Sequence, residues 1–129
     1  MNVFLLLAAA ILFLIGIMHT VLAEWKGERT LVRRITRARL LDSSDAQDLV
    51  ARRIVRLAWH LTSLTWCGIA AALTYLAFVE QTESLRMVVR ILASTFLLHS
   101  VLSLVIVRGK HTSWYMFLLV SLLCFLGAR

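Results

Sequence analysis

Four histidines are the residues of this chain best suited to chemistry: His19, His60, His99 and His111. Neutral imidazole is the commonest protein ligand for transition metals, and its ordinary pKa lies closest to physiological pH. Two histidines at matching depth on antiparallel helices could hold haem iron from both sides, and His19 with His60 form the natural pair. Arg56 stands where a propionate would be met. A convergence of His19, His60 and His99, joined by His111 and by Glu24 or Glu28 as oxygen donors, would instead suit zinc or copper. The spacing does not insist on either. No His-x-x-x-His or Glu-x-x-His pattern sets two ligands on one helix face.

A plainer role competes with ligation. His60, Ser63, Cys67, Ala71 and Thr74 recur at three- and four-residue steps, as do Thr95, His99 and Ser103, and, with fewer polar members, Ala8, Leu12, Gly16 and His19. Such stripes mark helix contacts where small residues permit close approach and polar groups bond across. Interhelical hydrogen bonding is therefore the favoured role for the histidines, with no cofactor bound. Haem or a transition metal is the alternative.

The elements that carry these residues are apolar and long. Four stretches bordered by charge, about 1–22, 57–79, 87–107 and 112–128, take up most of the 129 residues. A hydrocarbon layer of about 30 Å needs roughly 17–25 mostly apolar residues per spanning helix, and the last stretch is at the short limit. The chain is 60% hydrophobic and 16% charged, with a mean hydropathy of +0.84. A soluble domain carries roughly 25% charged residues. The fold class that follows is all-α, an integral membrane antiparallel four-helix bundle forming a single domain. The absence of proline suits unbroken helices. The first stretch reads as a retained anchor, because no Lys or Arg precedes it and Lys26, Arg29, Arg33 and Arg34 follow it.

Charge orients the bundle. The first connection carries nine Lys and Arg between Lys26 and Arg56, and the third adds Arg108 and Lys110. Basic loops stay in the cytoplasm, which places both termini outside and all four histidines in the cytoplasmic half. The net charge of +7 is thus a property of one face, and no recognition motif or aromatic-interleaved groove points to nucleic acid. The location expected is the bacterial inner (plasma) membrane.

Residues 24–56 read as an amphipathic cytoplasmic hairpin. From Trp25 to Ala38, apolar Leu31, Val32 and Ile35 fall on one side of a helix and Lys26, Arg33, Arg34 and Arg37 on the other. Leu41-Asp42-Ser43 breaks it. Ser44 with Gln47 then forms a capping box, and the helix beginning at Asp45 runs into the second span. Arg33, Arg34, Arg37, Arg39, Arg52, Arg53 and Arg56 are the residues expected to meet anionic phospholipid headgroups or a membrane protein partner.

Other chemistry finds little support. Cys67 and Cys124 are far apart in sequence with no Cys-x-x-Cys, and there is no phosphate-binding glycine loop, nucleophile elbow or zincin motif. Trp25, Trp59 and Trp114 read as interfacial anchors, while Trp66 lies deeper and needs a partner. The leading expectation is a non-enzymatic accessory, assembly or lipid-interacting component, in contact with the bilayer and with a protein partner or its own copies. A haem- or metal-binding electron-transfer or metal-handling protein is second. A small oligomeric transporter or channel is third.

Overall fold

The computed structural model describes residues 1–22 and 45–129, and for 45–49, 51, 52 and 107 the backbone alone. Among the described residues all regular structure is helical: α1 (Val3–Leu22), α2 (Asp45–Phe78), α3 (Glu83–Val107) and α4 (Ser113–Gly127). Three stretches, Val3–Leu22, Arg53–Phe78 and Glu83–Ile106, are long and apolar enough to cross a membrane. The fourth helix is apolar but has 15 residues, about 22 Å at 1.5 Å per residue.

Two helices begin earlier than their apolar stretches. The extension from Asp45 is continuous with the second stretch, giving one helix of 34 residues. No Gly or Pro interrupts residues 45–57, and Ala, Leu, Gln and Arg there favour helix. Glu83 to Arg86 are helical because Thr82 caps them, its hydroxyl accepting from the Leu85 N–H at 3.4 Å, with Glu83 in the first turn where negative charge is favoured. The helix stops where Arg108 (φ 49°) and Gly109 (φ 71°) turn left-handed. The Gly109 N–H then returns to Leu104 O at 3.1 Å. Residues 23–44 lie outside the described part. With them go the first hairpin arm, the Ser44 cap, Glu24, Glu28, Arg33, Arg34, Arg37 and Arg39.

The chain divides into two compact units, Met1–Phe13 with Gly68–Arg129, and Leu14–Cys67. In the first, Leu5, Ala8 and Leu12 of α1, Leu73 of α2, Val89 and Ala93 of α3, and Val120 and Cys124 of α4 are fully buried. Their three- and four-residue spacing puts one face of each helix inward. α3 and α4 run antiparallel, with Ser121 Oγ donating to Ala93 O at 2.7 Å, Ser100 Oγ to Trp114 O at 2.6 Å, and Ser103 bonding Ser113. Buried hydroxyls thus find carbonyls on the facing helix, as polar groups in a low-dielectric interior must.

Asn2 ties three helix ends in this unit. Its backbone N–H donates to Ala77 O at 2.7 Å, its side-chain amide to Gly127 O at 2.7 Å, and its Oδ1 accepts from the Leu5 N–H at 3.3 Å. Gly127 fits because it has no side chain: a Cβ there would lie 2.5 Å from Leu5 Cδ2.

The outward faces are apolar too. Leu64, Ile91, Val105 and Ile106 are 59–76% exposed. Water would penalise such a surface, whereas lipid accommodates it.

Candidate functional site

The densest polar arrangement lies in the Leu14–Cys67 unit, where α1 and α2 run antiparallel. Gly16 and His19 are three apart on α1, and Trp59, Ser63, Trp66 and Cys67 share one face of α2 at i, i+4, i+7 and i+8. Gly16 is buried and lets the helices close up. A Cβ on it would sit 2.9 Å from Cys67 Sγ and 3.2 Å from Ser63 O.

One turn further on, His19 fills the contact. Its Nδ1 lies 2.9 Å from Ser63 Oγ, and Ser63 Oγ donates to Trp59 O at 3.2 Å. A hydroxyl has a single proton, so both bonds form together only if His19 Nδ1–H donates to Ser63. That assigns the Nδ1–H tautomer and leaves the lone pair on Nε2. The Trp59 indole N–H in turn donates to His19 O at 2.8 Å. This carbonyl belongs to the last turn of α1, where intrahelical donors run out. The imidazole stacks on Trp59 with centroids 4.1 Å apart and planes 7° from parallel, and Trp66 meets it at 60° and 4.8 Å. Two indoles and one hydroxyl therefore fix its orientation.

His60 follows Trp59 on α2, half-buried and with contacts of its own. The expected pairing of His19 and His60 thus falls within one unit. His99 and His111 belong to the other. His99 is exposed, donates from Nδ1 to Thr95 O of its own helix at 2.9 Å, and has Phe96 and Phe117 beside it, with centroids 6.2 and 5.6 Å away. His111 Nδ1 accepts from the Ser113 N–H at 3.2 Å and so serves the start of α4. Among the described residues no three of His, Cys, Asp and Glu stand where they could hold one metal ion. Of the expected ligands, His19 and His60 fall in one unit and His99 and His111 in the other, and Glu24 and Glu28 lie outside the described residues. Of the basic residues expected at lipid, Arg53 and Arg56 are exposed on α2, and Arg52 is helical.

Three participants are not evident from composition alone. Trp59 reads as an interfacial anchor but holds His19, and its i, i+4, i+7 spacing with Ser63 and Trp66 is the signal that reveals it. Arg90 lies inside the third apolar stretch, donates to Glu83 Oε1 at 3.0 Å and reaches Ala128 O at 3.4 Å. Glu83 also approaches Arg86 at 3.9 Å. Asn2 carries no pattern at all.

Comparison with family models, curated proteins and solved structures gives no match.

Proposed function

We propose that this chain is a small multi-pass membrane component with no catalytic role of its own, acting as an accessory, assembly or lipid-interacting protein. One observation carries the reading. The most developed polar constellation, His19 with Ser63, Trp59 and Trp66, joins α1 to α2 through groups that each find a partner on the other helix. That supports a role in fixing the helix pair.

In this reading the four helices form an antiparallel bundle in the bacterial inner membrane, with both termini outside. α4 is the shortest span, and a mismatch of a few ångströms is met by local thinning or by the polar flanks at His111 and Arg129. The connection 24–56 lies on the cytoplasmic surface. Arg33, Arg34, Arg37, Arg39, Arg52, Arg53 and Arg56 there attract anionic headgroups, each contributing about 1 kcal/mol near the surface.

The test is association of the purified protein with anionic lipid. In nanodiscs of mixed composition, bound phosphatidylglycerol should fall little when these arginines become lysine. It should fall progressively as they become glutamate. A steep loss on a single Arg→Lys change would contradict the reading and indicate bidentate recognition of one defined anionic group.

A further inference from the structure

Three helix ends of one unit surround a cavity. It lies at the start of α1 and just past the ends of α2 and α4, within the unit of Met1–Phe13 and Gly68–Arg129, and holds about 550 Å³. Small-molecule sites run from about 300 to 1,000 Å³. In a bilayer the apolar spans finish at this level, so the cavity stands among headgroups. Its lining is divided by polarity. Val3, Phe4 and Leu126 are apolar and exposed, whereas Glu80, Gln81 and Arg129 are polar. Glu80 and Arg129 carry opposite charge, yet neither side chain has an ion pair or hydrogen bond among the described residues.

Gln81 adds a second unmatched acceptor. Its Nε2 donates to Leu76 O, a carbonyl that can only accept, which fixes the amide orientation. Its Oε1 is left buried with no donor among the described residues. Buried polar atoms find partners as a rule, and an exception is accounted for by water or a ligand. Two acceptors on adjacent residues call for a cationic N–H donor, and a guanidinium for a phosphate, which it can meet with two parallel bonds. A phosphoethanolamine group carries both. Choline has the charge but no N–H, and its recognition uses several aromatic faces; Phe4 is the one aromatic residue among the described lining. The exposed apolar side chains beside the polar end suit the acyl chains of a phospholipid.

We infer that this cavity binds the headgroup of an ethanolamine phospholipid, its ammonium on the Glu80 carboxylate with the Gln81 oxygen turned to it, and its phosphate on Arg129. The inference rests on the multi-pass reading proposed above. It adds a zwitterionic lipid, held by residues other than the arginines that attract anionic headgroups.

The experiment titrates the full chain in detergent with dioleoyl phosphatidylethanolamine, phosphatidylcholine or phosphatidylglycerol and counts bound lipid by native mass spectrometry. One phosphatidylethanolamine should bind about tenfold more tightly than phosphatidylcholine, the worth of a hydrogen bond to a charged group. With helicity and melting retained, Glu80→Gln should abolish that preference, because the amide keeps the shape and loses the charge. Arg129→Gln should weaken both lipids about tenfold and leave their ratio unchanged, since both carry the phosphate. Equal affinity for the two lipids in the wild-type chain would overturn the site, as would a preference that survives Glu80→Gln. Water-soluble sn-glycero-3-phosphoethanolamine should compete poorly; competition at the concentration of the phospholipid would assign the cavity to a free headgroup and overturn the lipid. Tightest binding of phosphatidylglycerol, lost in Arg129→Gln, would replace the zwitterion by an anion. Arg53→Glu with Arg56→Glu should lower phosphatidylglycerol binding elsewhere on the chain and leave the ethanolamine preference intact. Sidedness labelling tests the multi-pass reading by itself, so either reading can fail visibly alone.

Discussion

Gly16→Ala probes the α1–α2 contact most sharply. The new methyl would stand 2.9 Å from Cys67 Sγ and 3.2 Å from Ser63 O. Both distances are inside ordinary van der Waals contact. The carbonyl oxygen is fixed in α2, whereas the half-buried Cys67 thiol can relieve its contact only by changing rotamer. Overpacking of this kind costs about 1–3 kcal/mol, and exchanging Gly for Ala within a helix returns about 0.5–1 kcal/mol. A net destabilisation of about 1–2 kcal/mol follows. Cys67→Ala removes the closer obstacle. The double variant should then recover about 1 kcal/mol relative to the sum of the singles, beyond the few tenths within which independent sites add. Unfolding in mixed micelles, followed by circular dichroism, reads all four proteins. A Gly16→Ala variant as stable as wild type would refute the close approach, as would strict additivity with Cys67→Ala.

Other perturbations test neighbouring features. Gly16→Cys should cross-link to Cys67 on mild oxidation in native membranes, since 2.9 Å from Cβ to sulfur is about the reach across one S–S bond; failure to cross-link would separate the helices. Asn2→Ala deletes the side-chain bonds to Gly127 O and from Leu5 N–H and should cost about 1 kcal/mol at the typical 0.6 kcal/mol for a bond in a membrane protein. Asn2→Asp should retain the Leu5 bond and lose only the Gly127 one, so faster hydrogen exchange at the Leu5 amide in the Asp variant would contradict the assignment. Trp59→Phe keeps a ring on His19 but loses the indole N–H to His19 O, a change of about 0.6 kcal/mol. Trp59→Ala should cost about 0.5–1.5 kcal/mol more by removing the stack, and equal effects of the two would discount the stacking.

The helices were largely legible in the chain because their signals are local. Runs such as Val3–Leu22 announce themselves by length and hydropathy, and the continuity of α2 follows from the lack of Gly or Pro between Asp45 and Leu57. The start of α3 was less plain, since Glu83 and Arg86 resemble a loop until Thr82 is recognised as their cap. The contact of His19 with α2 was half visible. The sequence pointed to His60 as its neighbour, but the partners that hold the ring are Ser63, Trp59 and Trp66, and the relative rotation of two helices is not encoded in either alone. Asn2 and Arg90 were missed for the same reason. Their partners Gly127 and Ala128 are backbone carbonyls more than 35 residues away, and a carbonyl leaves no mark in a sequence.

Four crossings put the basic connection and the C-terminus on opposite sides of the membrane; three crossings, with the 15-residue α4 left at the surface, would put them on the same side. The direct measurement is labelling of single cysteines at Ser43 and at Arg129, in a background lacking Cys67 and Cys124, with a membrane-impermeant maleimide added to intact cells and to inverted vesicles. Arg129→Cys should react in intact cells and Ser43→Cys only in inverted vesicles. Reaction of both from the cytoplasmic side alone would contradict the four-span bundle and the outward placement of its C-terminus.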